Sequence, residues 1–304
     1  MADSPIVVLP ATGKVGREVV ASLLARGARV RAVSRALDRL GALPASVERA
    51  TARFENVPSL EAVLRGAPRA FFVTPYSEIE EQLGENVVEA ARRAGVEKLC
   101  YAGAAHPDAD AAWLRGVILW GVGIVWPHYK PKFRVEEAVR REAFGIVLQP
   151  MNYFQNDEIF RKEILEEGTY PQPLGRKKVN RIDVRDIADG ASRVLLEPGH
   201  EGRAYPVYGL DSLSGPECAD VWSEALGRKI AYAGDDLDAW EKRVEGRMYD
   251  KERADIRKTY EFFHAWGGTM GASYSRRCAE LLGRPPRRYR DYVSELVEKW
   301  RGGS

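Results

Sequence analysis

The chain has 304 residues, 45% hydrophobic and 30% charged, with 46 basic against 44 acidic side chains and a net charge of +2. That composition excludes a disordered or low-complexity chain, and the near-neutral balance gives no global signal for nucleic acid. The length suits about two domains at ~150 residues each, or one large α/β domain with an appendage. No run approaches the ~18 consecutive apolar residues of a membrane span. The first apolar run, Ile6 to Leu9, lacks the length and basic flank of a secretory leader. Cys100, Cys218 and Cys278 are odd in number and widely spaced, so they read as reduced, cytoplasmic thiols. His106, His128, His200 and His264 form no HExxH or HxH pattern, and no metal site is expected.

The first half alternates strand and helix signals. Ile6-Val7-Val8-Leu9 is a short continuous apolar run, the pattern of a strand buried on both faces. Val15, Val19, Val20, Leu23 and Leu24 recur at helical spacing, and Gly27 ends that helix. Val30, Ala32 and Val33 make a second strand. Ser59 reads as the N-cap of a helix carrying Leu60, Val63 and Leu64, closed by Gly66. Ala70 to Val73 is a strand, Leu83 to Ala91 a long helix ending near Gly95, and Leu99 to Ala102 the next strand. Val135, Ala138 and Val139 mark another helix, and Ile146 to Leu148 another strand. Strands and helices alternating at this rhythm predict an α/β fold with a parallel, doubly wound sheet.

After Pro150 the regularity stops. Gly168, Pro171, Pro173 and Gly175 mark turns within 151–178. Residues 179–208 are expected to return to the sheet, through a strand at Ile182 to Val184, a helix from Asp186 to Leu196 and a strand at Ala204 to Val207. Residues 209–304 carry helices rich in aromatic residues and arginine.

Pro10-Ala11-Thr12-Gly13-Lys14-Val15-Gly16 lies between the first strand and the first helix, the context a dinucleotide-binding turn requires. Gly13 would let the backbone approach a pyrophosphate, Gly16 would allow close helix packing, and the helix N-terminus would face the anion. Pro10 stands where such turns usually begin with a further glycine. The second strand ends Val33-Ser34-Arg35, with no carboxylate to accept hydrogen bonds from a ribose 2′-hydroxyl. Arg35 suits a 2′-phosphate instead, so NADP(H) is expected in preference to NAD(H).

Further segments follow in order: Phe71-Phe72-Val73-Thr74-Pro75-Tyr76, Ala94 to Lys98, His128-x-x-x-Lys132 with Val135-Glu136-Glu137, Gln149 to Asn156, Asp183 to Ala188, and Leu282-Gly283-Arg284-Pro285-Pro286 with Tyr289 and Tyr292. With the glycine turn and Arg35, this series resembles the NmrA-like branch of the atypical short-chain dehydrogenase/reductases over nearly the whole chain. The resemblance implies an NADP(H)-binding Rossmann domain over 1–150, with 179–208 returning to its sheet. It also implies a smaller C-terminal α/β substrate lobe over 151–178 and 209–304, with the substrate cleft between the two. It carries Thr12, Gly13, Lys14, Val15, Gly16 and Arg35 onto the cofactor phosphates and Phe54 onto the adenine. Arg53 replaces the family's aspartate before that position. Thr74, Pro75 and Tyr76 would line the nicotinamide ribose, and Tyr153 and Phe154 would border the nicotinamide. Gly103 and Ala104 stand where classical members carry a serine.

No lysine has a tyrosine four places before it, so the classical Tyr-x-x-x-Lys pair is absent. His128-x-x-x-Lys132 takes its place. Pro131 is favoured only in a first turn, so the helix is expected to start there, with His128 just before it. A lysine in a first turn opposes the helix dipole, which suggests that an anion or hydroxyl engages Lys132. Lys132 is expected to hold the nicotinamide ribose and His128 to donate or relay a proton; the plainer reading is a solvated lysine and a packed histidine. Trp126, in the run Trp120 to Trp126, and Trp266 and Met270, beside Gly267-Gly268, join Phe154 as candidate substrate contacts, with plain core packing the alternative.

The expected activity is NADPH-dependent hydride transfer to a small aromatic, quinone-like or conjugated carbonyl substrate, in natural-product metabolism or elsewhere. The alternative is a non-catalytic NADP(H)-binding sensor with a protein partner. A soluble cytoplasmic protein is expected, with no nucleic-acid or membrane partner, and a homodimer is left open.

Overall fold

The computed structural model describes residues 4–107, 117, 121 and 127–302. The chain divides into two compact units, Met1–Pro150 with Val184–Val207, and Met151–Asp183 with Tyr208–Ser304.

The first unit runs β1 (Ile6–Leu9), α1 (Lys14–Ala25), β2 (Val30–Ser34), β3 (Glu48–Thr51), α2 (Val57–Leu64), β4 (Arg69–Phe72), α3 (Glu80–Ala94), β5 (Lys98–Ala102), α4 (Lys130–Arg141) and β6 (Gly145–Pro150). The helix Val184–Leu196 and the strand Ala204–Val207 complete it. Its seven strands lie in the order Ala204–Val207, β6, β5, β4, β1, β2, β3, and every pairing is parallel. The chain builds outward from β1 to β3, then returns to β4 on the other side of β1 and builds the opposite way. This Rossmann-type, doubly wound arrangement puts the topological switch between β1 and β4, and ligands of such sheets bind beyond the carboxyl ends of the strands there. Ile6 to Leu9 are at most 1% exposed, as their unbroken apolar run requires. Gly95 closes α3 in the left-handed conformation, at φ 72°.

One local expectation changes, and one strand has no counterpart in the sequence reading. The cap of α2 is Asn56, whose side chain accepts from the Ser59 backbone N–H at 2.9 Å, and Ser59 lies inside the helix. The strand β3 has no apolar run, because three of its four residues are exposed on the edge of the sheet.

The second unit holds a three-stranded sheet in the order Ser212–Leu213, Val179–Ile182, Asn152–Tyr153, and a two-stranded one pairing Thr169–Tyr170 with Ala231–Tyr232. The strand expected near Ile182 therefore ends at Ile182 and belongs to this sheet; the return to the seven-stranded sheet is made by Val184–Val207. Around the small sheets lie the helices Gly215–Leu226, Leu237–Val244, Asp250–Trp266, Ala272–Leu282 and Tyr289–Gly302. Ser214 and Glu217 form a reciprocal capping box at the first of them. Trp222 stacks on Trp300 at 5.4 Å, and Trp240 meets Tyr260 edge-on at 5.1 Å.

A buried ion pair organises this aromatic core. The Arg181 guanidinium, 2% exposed, donates to both Asp157 oxygens, at 2.8 and 3.1 Å. It also donates to Asn152 Oδ1 at 3.0 Å and to the Tyr153 carbonyl at 2.8 Å. Tyr170, Gln172 and Tyr289 donate to the same carboxylate. Burial pushes the Arg181 pKa down, but Asp157, Tyr170, Tyr289 and Cys218 around it together outweigh burial and hold it well above the usual value. Cys100, Cys218 and Cys278 are all buried thiols, none of them in a disulfide. Burial pushes the Cys218 thiol up to about 12.

Candidate cofactor and active site

The turn between β1 and α1 has the form that an anion needs. Gly13 caps α1 with φ −73° and ψ 166°; no side chain caps the helix, and no acid lies in its first turn. With no side-chain cap and no acid there, the positive end of α1 faces this turn. Gly16 is where the backbones close: a Cβ there would lie 2.0 Å from the Pro10 carbonyl oxygen. Pro10, joined to Leu9 by a cis bond, therefore stays in the turn as the surface that Gly16 packs on. Ala11 is tied to β2 through its N–H to the Val33 carbonyl at 2.8 Å.

Arg35, the residue after β2, is exposed. Arg53 is exposed just beyond the neighbouring strand β3, whose Thr51 pairs with Ser34. Phe54 is buried, 8% exposed, and its carbonyl accepts from Asn86 Nδ2 at 2.9 Å. Only part of its ring can meet a ligand.

On the other side of the switch, Val73 N–H bonds the Leu9 carbonyl at 3.1 Å, which sets Thr74, Pro75 and Tyr76 beside the phosphate turn. Thr74 is 5% exposed, and its hydroxyl donates to Glu80 Oε1 at 2.5 Å. Lys132 Nζ donates to the same Glu80 oxygen at 2.5 Å and stands 4.7 Å over the Tyr76 ring. Tyr101 Oη lies 3.4 Å from the Thr74 hydroxyl. One carboxylate thus gathers a hydroxyl and an ammonium at the carboxyl ends of β4 and β5. The helix α4 begins at Lys130, with Pro131 in its first turn and His128 in the short 3-10 turn before it. His128 is 9% exposed, its ring 4.6 Å from Tyr129.

After β5, a Cβ on Gly103 would come within 2.8 Å of the Tyr101 ring, which takes up the room a serine would need. Farther on, His106, Glu136 and Gln149 form a buried cluster that composition did not single out. His106 Nε2 is 3.0 Å from Glu136 Oε2, and Gln149 Nε2 donates to Glu136 Oε1 at 2.9 Å. His106 Nδ1 faces the Pro107 carbonyl at 2.6 Å.

The remaining expected residues lie outside the described residues or in the second unit. Trp126 lies outside the described residues, as does the Trp120 to Trp126 run apart from Gly121. Tyr153 and Phe154 belong to the second unit, where Phe154 is 1% exposed and packs on Tyr289 and Tyr292. Trp266 is 73% exposed there, and the Met270 N–H donates to Asn180 Oδ1 at 3.0 Å. Sequence reasoning missed Glu80. Acidic residues favour first helical turns whether or not they pair, so Glu80-Glu81 carried no further signal. Among the described residues no cluster of His, Cys, Asp or Glu could hold a metal ion.

A parallel sheet that reverses beside a glycine turn leading into a helix has the form of a dinucleotide-binding protein of the short-chain dehydrogenase/reductase type. The chain belongs to the NmrA-like family, whose sequence model matches residues 2–285. It is similar to the NAD(P)H azoreductase of Xenophilus azovorans, with 30% identity over 295 residues covering 95% of this chain and 96% of the relative. It is equally similar to the (4-alkanoyl-5-oxo-2,5-dihydrofuran-3-yl)methyl phosphate reductase of Streptomyces griseus, with 30% identity over 297 residues, 96% of this chain and 98% of the relative. Among solved structures, the NADPH complex of a quinone oxidoreductase from Escherichia coli superposes with a TM-score of 0.77 at 21% identity, over 96% of this chain and 99% of that one. That likeness speaks for the fold.

Proposed function

We propose that the chain is an NADPH-dependent oxidoreductase that reduces a small, planar, easily reduced acceptor of quinone, azo or conjugated-carbonyl type. The observation that carries this reading is the Lys132 ammonium, held by the buried Glu80 beside Thr74 at the switch point of the sheet. The glycine turn and Arg35 fit the cofactor: the first presents the positive end of α1 to a pyrophosphate, the second a guanidinium to a 2′-phosphate. The bound cofactor supplies hydride; the protein orients it and handles charge and protons.

In this reading Lys132 donates a hydrogen bond to the nicotinamide ribose, and Thr74, Pro75 and Tyr76 flank it. His128, in the turn that opens the same helix, donates or relays the proton. An acceptor whose reduced form is a stabilised anion asks least of such a donor, which suits a site without a Tyr-x-x-x-Lys pair. The azoreductase and quinone oxidoreductase named above act on acceptors of this electron-poor, planar kind.

The test is calorimetric titration with NADPH and NADH, followed by turnover on a panel of quinones and azo compounds. A charge-assisted hydrogen bond is worth about 1.5–3 kcal/mol, so Arg35→Ala should weaken NADPH about tenfold or more and leave NADH unchanged. Failure to bind either dinucleotide refutes the proposal. Tight NADPH binding without turnover on any acceptor refutes the enzymatic part and favours a sensor.

A further inference from the structure

We infer that Glu80 is the positioning residue for Lys132, and that Gly84 sets the helix spacing that lets the two meet. The inference rests on the cofactor reading above and names a residue that neither the sequence pattern nor the family resemblance singled out.

Three observations carry it. Glu80 is the first residue of α3 and is 2% exposed, so its carboxylate sits at the positive end of that helix. One oxygen, Oε1, accepts from both Thr74 Oγ1 and Lys132 Nζ. A flexible lysine with a four-carbon stem is thereby pinned at a single point, between a carboxylate below and the Tyr76 ring 4.7 Å away. Finally, the helices that bear the pair approach unusually closely. A Cβ on Gly84, one turn beyond Glu80, would lie 2.3 and 2.5 Å from the two methyls of Val135, one turn beyond Lys132. Only glycine leaves room for α3 and α4 to bring their first turns within hydrogen-bond reach.

The consequence is a division of roles. Glu80 is turned toward protein groups and does not itself meet the cofactor. Lys132 is 14% exposed and keeps donor protons beyond the one it gives to Glu80. Those are the protons offered to the ribose, and their direction is set by Glu80. Removing the carboxylate frees the ammonium to turn toward water, so the ribose loses an oriented donor while the pocket keeps its shape.

A double-mutant cycle tests this. Glu80→Gln, Lys132→Ala and the pair together are titrated with NADPH by calorimetry, and each is melted to confirm the fold. Each single change should raise the NADPH Kd about fivefold to tenfold, and the double variant should stay within about twofold of Lys132→Ala, because coupled residues are not additive. With a naphthoquinone acceptor the losses should appear in the KM for NADPH and in kcat, with the KM for quinone unchanged. A readout free of cofactor runs alongside: acetylation of Lys132 in the unliganded protein, followed by peptide mass spectrometry. It should be several-fold faster in Glu80→Gln and in Gly84→Ala than in the wild type. Gly84→Ala keeps both charged partners and serves if Glu80→Gln fails to fold. Additive losses in a protein that binds NADPH, or an unchanged acetylation rate, overturn the inference alone. A wild type that binds neither dinucleotide overturns the cofactor reading and the ribose contact with it.

Discussion

The phosphate turn contains two glycines with opposite duties, and substituting each by alanine separates fold from ligand. At Gly16 the added methyl would meet backbone on every side: Pro10 O at 2.0 Å, Pro10 C at 3.0 Å and Ala11 Cα at 3.2 Å. No rotamer relieves a clash with main chain. Carbon–oxygen contacts settle near ~3.3 Å, so α1 must move away from the turn by about 1.3 Å to accept it. Overpacking of this kind costs about 1–3 kcal/mol, and backbone on all sides puts Gly16→Ala at the upper end, about 3 kcal/mol. For a unit of this size each kcal/mol lowers the melting temperature by ~2–4 °C, giving a fall of roughly 6–12 °C. At Gly13 the same methyl would lie 3.8 Å from Pro10 O and 3.9 Å from Pro10 Cγ, in ordinary contact, at φ −73°. Gly13→Ala should therefore melt close to the wild type, with a loss of at most ~1 kcal/mol at the cap, yet bind NADPH about tenfold or more weakly, because the methyl occupies the path of the pyrophosphate. Differential scanning calorimetry and NADPH titration on both variants decide it. A wild-type melt for Gly16→Ala refutes the close-approach argument. Unchanged NADPH affinity in Gly13→Ala refutes the phosphate argument.

Two further outcomes follow from buried and half-buried charge. Arg181→Met strands the Asp157 carboxylate in the aromatic core of the second unit. Breaking a buried pair costs about 3–5 kcal/mol, so the urea midpoint should fall markedly; a wild-type midpoint would show that the carboxylate does not depend on Arg181. Burial, reinforced by Lys98, holds the His200 pKa below its usual 6.5. As the pH drops below that value the unfolded chain takes up the proton first, so stability is full above it and is lost until the pH passes the folded value. Comparing urea midpoints at pH 7.5 and 5.5 should show a smaller drop in His200→Gln than in the wild type, and equal drops would refute the assignment.

The sheet was legible because its central strands are buried on both faces and must be apolar without interruption; Ile6 to Leu9 and Leu99 to Ala102 announce themselves. The edge strand β3 was not, since exposed Glu48, Arg49 and Thr51 carry no such constraint. At α2 both Asn56 and Ser59 are capable caps, and the deciding signal was Pro58, which belongs in a first turn and so places the cap before it. The strand Val179–Ile182 reads as a strand from its own residues, but nothing local says which sheet receives it. Of the candidate site, the glycine turn was named from its place between β1 and α1, Thr74 from the family resemblance, and Lys132 from the His128-x-x-x-Lys132 spacing. Glu80 could not be read in this way, because its role comes from a helix-to-helix approach that Gly84 permits and that no spacing in the sequence encodes.

In the proposed reading, helix α4 concentrates its part in the chemistry in one side chain. Lys132, Glu136 and Arg140 stand at intervals of four and so share one face. Glu136 is 0% exposed, with Oε1 taken by Gln149 and Arg140 and Oε2 by His106. Moving either Glu136 or Arg140 toward a ligand would leave its partner's charge uncompensated in the interior, a loss of several kcal/mol. Glu136 therefore anchors the helix to His106, just after β5, and to Gln149 in β6, and Arg140 braces Glu136. Lys132 occupies the same face one turn nearer the open end, with an anchoring carboxylate on one side and partial exposure on the other. A face that is rigid below and reachable above suits the proposed contact with a cofactor ribose, since catalytic contacts must be placed within about 0.5 Å by supporting groups. The fixed lower turns and the paired but accessible Lys132 thus belong to one design, in which Glu136 holds the helix and Glu80 holds the lysine.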